Sequence, residues 1–129
     1  MEDETNQEDS AARNILRHHV FPILRHINPR AVENMSFTAG VVARESAALE
    51  ELASALAEQA VRTGGGVSIA CSALLNVPLA VAERAALQLL RAAAGREQDL
   101  GAAHVAAVLD LAEQGREDAR VSLPYGLIA

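Results

Sequence analysis

Apolar residues first recur at helical spacing from Leu16, where Leu16, Val20, Ile23, Leu24 and Ile27 make one stripe behind Asp9 or Ser10 as cap. Pro22 lies inside that stripe. Proline lacks the backbone donor and its ring clashes one turn back, so the pattern predicts a kink or short break near His18 to Phe21. Asn28-Pro29 then reads as a new start, with asparagine as cap and proline as first helical residue. From there Val32, Met35, Thr38/Ala39, Val42, Leu49, Leu52, Leu56 and Ala60 predict one long helix to about Arg62. At 1.5 Å per residue it would run roughly 50 Å, and Gly40 would weaken it by about 1 kcal/mol relative to alanine. Its acids Glu45, Glu50, Glu51 and Glu58 read as a solvated face.

Thr63-Gly64-Gly65-Gly66 ends that helix and reads as a linker, because consecutive glycines hold helical order only at high entropic cost. The alternation of Val67, Ile69 and Cys71 predicts a short strand. After Pro78 a second clear helix carries Leu79, Ala82, Ala86, Leu89, Leu90 and Ala93 on one stripe and stops at Gly95. A third runs from about Gly101 to Gln114, turns Val105, Val108, Leu109 and Ala112 inward and closes at Gly115. Val121 to Ile128 alternates around a Pro-Tyr-Gly turn, like half of a β-hairpin, so the C-terminus reads as cut rather than finished. The fold class that follows is mainly α: a helical bundle built on one long helix, with a short strand or hairpin at the C-terminus.

Composition sharpens this picture. With 27 alanines, no lysine, no tryptophan and only Phe21, Phe37 and Tyr125 as aromatics, helices are favoured but their contact surfaces are small. Each helix pair gains less at about 25 cal/mol per Å² than a leucine-rich pair would. Cys71 is alone, which excludes an intramolecular disulfide and suits a reducing compartment. The acidic N-terminus does not read as a secretory signal, and no run approaches the roughly 20 apolar residues of a membrane span. A cytoplasmic chain is expected.

The net charge of −6 argues against a general nucleic-acid binder, but the charge is uneven. Met1 to Asp9 carries five acids, whereas Ser10 to Val32 carries four arginines (Arg13, Arg17, Arg25, Arg30), three histidines and no carboxylate. Helix-start electrostatics account for the acids. They do not account for the bases that follow.

Most reaction chemistry is missing. Gly64-Gly65-Gly66 lacks the Lys-Ser/Thr flank of a phosphate loop. His19 and His26 are seven residues apart, about 10 Å along a helix, which is too far for two ligands of one ion, so no metal is expected. Cys71 has no neighbouring base, and serine, histidine and aspartate show no catalytic spacing, so no catalytic residue is assigned. Arg13 and Arg17 remain, four apart on one helix face with Asn14 beside them. Their guanidinium forks could grip phosphate or a base edge, or they could pair with Asp3, Glu4 or Asp9.

Taken in order, Glu2-Asp3-x-Thr5-Asn6, Arg13-Asn14-x-Leu16-Arg17, Pro22-x-Leu24 and Asn28-Pro29 closely resemble tRNA(Ile)-lysidine synthetase over residues 2 to about 60. More loosely, Pro78 to Arg91, His104-Val105 and Val121 to Gly126 look like later segments of that family. The resemblance implies an ATP-dependent carbon-nitrogen ligase that adenylates the wobble cytidine of tRNA(Ile) and joins lysine to it. The family's S-G-G-x-D-S ATP loop is absent from this chain. Residues 1–28 then correspond to the tail of the catalytic domain, 29–62 to a linker helix and 63–129 to a small helical domain. By the same resemblance the chain alone is inactive and holds no cofactor, ATP belongs to the full-length enzyme, and Arg13, Asn14 and Arg17 border the tRNA anticodon stem-loop. A second reading is a non-catalytic interaction module whose long helix pairs with a partner or forms a homodimer. Exposed Val42, Leu49 and Leu56 would favour it.

Overall fold

A computed structural model describes residues 11–64, 66–95, 99–116 and 119–129. The fold is mainly α, as the periodicity implies. Residues 11–15 are α-helical, Leu16–Val20 form a π turn, and α1 follows at Phe21–Ile27. The long helix α2 is Ala31–Ala57. A hairpin of β1 (Val61–Thr63) and β2 (Gly66–Ser68) comes next, then α3 (Cys71–Leu75), α4 (Leu79–Ala94) and α5 (Ala102–Gln114). The described residues fall into two compact units divided after Arg44, within α2.

The expected cap at Asp9 or Ser10 lies outside the described residues. The Pro22 irregularity is present, but as a widened turn rather than a break: the Phe21 N–H donates to Leu16 O, five residues back. Pro22 has no N–H to continue regular i→i+4 pairing, and it sits in the first turn of α1, where that lack costs least. Asn28 is extended and caps the next start through Oδ1, which accepts the Arg30 N–H at 3.0 Å.

The long helix is shorter than its periodicity predicts. It stops at Ala57, and Gln59 and Ala60 donate to Leu56 O and Ala57 O in tighter i→i+3 bonds. Val61, Arg62 and Thr63 pair instead with Ser68, Val67 and Gly66. The reason is local: β-branched Val61 and Thr63 favour strand, and the glycines after them permit a tight turn. Gly64 and Gly66 therefore belong to a hairpin rather than to a linker, and Gly66 takes a φ of 155°. The predicted strand at Val67 is real but ends at Ser68, because Cys71 opens the short helix α3.

Helices α4 and α5 match the sequence closely. Both end in a left-handed glycine, Gly95 with φ 65° and Gly115 with φ 60°. The core lies in the second unit, where Ala53 and Leu56 of α2 join Leu74, Val81, Ala82, Ala85, Ala86, Leu90, Leu100, Val105, Leu109 and Leu123. Two predicted inward positions of α4 point elsewhere: Leu79 is 65% exposed and Ala93 is exposed, while Val81 and Ala85 are buried in their stead. Ala53 and Ala85 are both 0% exposed, so methyl groups fill the helix contacts and leave little room for larger side chains.

The C-terminal segment is a two-armed hairpin, not half of one. Val121 and Ala129 exchange backbone hydrogen bonds of 2.8 and 3.0 Å, and the Leu123 N–H donates to Leu127 O at 2.9 Å. Pro124–Gly126 make the turn, and buried Leu123 anchors it to the core. Tyr125 has φ 63° and Asp99 φ 64°, and the Tyr125 hydroxyl donates to Asp99 Oδ2 at 2.6 Å. This bond ties the turn to the α4–α5 loop.

Candidate nucleic-acid interface

The basic segment is built on the irregular first helix. Arg13 and Asn14 lie in the α-helical residues 11–15 and Arg17 in the π turn, and all three are exposed. The same turn carries exposed His18 and His19, and α1 adds exposed Arg25 and His26. No described residue before Ala53 is buried; Val20, Phe21 and Leu24 are half-buried, whereas Ile23 and Ile27 are 61% and 75% exposed. The predicted stripe thus splits into a partly covered flank and an open one. Asp3, Glu4 and Asp9, the carboxylates that could neutralise the arginines, lie outside the described residues. Among the described residues no carboxylate pairs with Arg17.

Electrostatically the segment stands apart from the rest of the chain. Residues 10–44 carry five arginines against one acid, Glu33, whereas residues 45–129 carry six arginines against eleven acids. A local positive field can therefore exist on a chain whose net charge is −6.

Several polar groups of the second unit help to hold its fold together. Arg84 donates to Ser46 Oγ at 3.2 Å and pairs with Glu50 at 3.6 Å, and Gln88 donates to Glu50 Oε1 at 2.7 Å and to Ser54 Oγ at 3.1 Å. Ser46, Glu50 and Ser54 recur every four residues on α2, and Arg84 and Gln88 do so on α4, so the helices meet along a polar ladder. Glu50 is therefore not part of a merely solvated face. His104 Nδ1 accepts the Gly101 N–H at 3.2 Å and serves as a cap for α5. Sequence reasoning missed the ladder because its signal, two i, i+4 polar sets on different helices, names no partner.

An apolar groove of about 880 Å³ also opens in the second unit, lined by Val67, Ile69, Leu74, Leu90, Leu111 and Leu127, with Arg116 on its wall. Among the described residues that line it, no acid, base and nucleophile come together. Among the described residues no three of His, Cys, Asp or Glu come together as a metal-binding group, and no helix is long and apolar enough to cross a membrane. The pairing-helix reading loses its continuous stripe: Val42 is 55% exposed, but Leu49 is half-buried against the core and Leu56 is only 5% exposed.

No family model matches the chain. Over 127 residues, 97% of its length, it is 33% identical to a tRNA(Ile)-lysidine synthase of Geobacillus kaustophilus (strain HTA426). Those residues make up 27% of that enzyme, so the chain spans about a quarter of its relative. The resemblance first seen in residues 2 to 60 therefore extends along almost the entire sequence, and the chain is a relative of part of a tRNA(Ile)-lysidine synthase.

Proposed function

We propose that this chain is the tRNA-positioning and domain-linking portion of a cytoplasmic tRNA(Ile)-lysidine synthase. In this reading Arg13, Asn14 and Arg17 face the anticodon stem-loop of tRNA(Ile), beside the wobble cytidine that the whole enzyme adenylates with ATP and joins to lysine. The two guanidinium forks bind phosphate oxygens, which fix register, and the Asn14 amide offers both a donor and an acceptor to a base edge. ATP and lysine are handled by residues beyond this chain, which by itself has no ligase activity.

The observation that carries the reading is the exposed basic segment, free of carboxylates from Ser10 to Val32, in a chain similar to an enzyme named for its tRNA. The π turn supports it, because such turns inside α-helices concentrate at functional sites. The test is a titration of the chain with a tRNA(Ile) anticodon stem-loop at low salt, beside the double variant Arg13→Ala/Arg17→Ala. Loss of two charged contacts should weaken binding roughly ten- to a hundredfold. Equal affinity of the variant and the parent would sink the proposal.

A further inference from the structure

Arg25, on α1, is a cation of this segment that the family motif does not include. In a regular helix each residue advances about 100°, so the twelve residues from Arg13 to Arg25 would leave their side chains about 120° apart. The π turn changes that relation. A turn closed five residues back takes up one residue more than a turn closed four back, and Leu16–Val20 lies wholly between the two arginines. Their separation then acts as eleven residues, close to three full turns, and the offset falls to about 20°. Arg17, one turn from Arg13, lies between them. Helical geometry thus places the three arginines on one face over about 17 Å at 1.5 Å per residue.

Arg25 is exposed and, among the described residues, has no hydrogen bond or ion pair. The stripe runs beside the half-buried flank of Val20, Phe21 and Leu24, so its cations project from a partly covered helix. A stripe of this length exceeds the reach of one phosphate. We infer that Arg25 extends the Arg13–Arg17 face into a binding stripe for several phosphates of an RNA backbone, brought into line by the π turn at Leu16–Val20. The inference rests on the RNA-facing reading above and adds a contact of a different kind: Arg25 contributes affinity without sequence preference.

The experiment measures binding of the full chain to two RNAs, the tRNA(Ile) anticodon stem-loop and an unrelated hairpin of equal length, across a salt series. Arg25→Gln should weaken both about equally, by severalfold, and lower the slope of log affinity against log salt by about 0.7 to 0.9. Arg62→Gln, on β1 of the acidic unit, should leave the slope unchanged. An unaltered slope in Arg25→Gln, with the Arg13→Ala/Arg17→Ala loss intact, overturns the stripe and leaves the proposed function standing. An equal slope change in Arg62→Gln also overturns it, because the effect would then be diffuse charge. If no variant alters binding, both readings fall.

Discussion

Residues 11–44 and 45–129 solve opposite problems with the same alanine-rich alphabet. The first set buries no side chain fully, shows Ile23, Ile27 and Phe37 to solvent at 61%, 75% and 72%, and carries five arginines against one acid. The second gathers every buried side chain of the described structure and ties some of its polar groups into a ladder and a cap. Alanine makes helices cheaply in both places. What separates them is where the larger apolar groups point: inward they make a core, and outward they leave a surface whose chemistry is available to something else.

The sharpest way to break this comparison is to truncate one leucine-sized side chain in each unit. Leu109→Ala, at 7% exposure, should cost about 2 to 4 kcal/mol in urea unfolding, while Ile27→Ala should stay within about 0.5 kcal/mol. Comparable losses would mean that the first unit holds a core of its own. Gly115→Ala comes next, because its φ of 60° strains any side chain; a loss of about 1 kcal/mol or more is expected in the same assay. The smallest effect belongs to Glu50→Gln in the polar ladder. Its side chain is 56% exposed, so the ion pair with Arg84 should contribute under about 1 kcal/mol, and added salt should reduce that further. A larger, salt-insensitive loss would show that the ladder is a principal tie between α2 and α4.

Helices α4 and α5 were legible because their ends carry strong local chemistry: Pro78 before the first, and Gly95 and Gly115 after the last turns. The first hairpin was not, because Leu56 and Ala60 keep helical spacing up to its edge. Only the β-branched residues at Val61 and Thr63 argued otherwise, and a helical rule reads them as ordinary surface. Helix α3, five residues long, is too short to show a period. At the site, Arg13, Asn14 and Arg17 could be read from residue type and a family motif. Arg25 could not, because a spacing of twelve is no helical repeat until one turn is known to take in an extra residue.

Tyr125 gives the molecule an optical consequence. It is the sole tyrosine in a chain without tryptophan, so all indole-free ultraviolet emission of any strength arises at one spot, the turn bonded to Asp99. A phenol held 2.6 Å from a carboxylate emits weakly, since the excited hydroxyl passes its proton to that acceptor. Unfolding breaks that bond, so Tyr125 emission should rise across a denaturant titration. The second unit thus carries a native reporter of whether that bond is made, readable without any added dye.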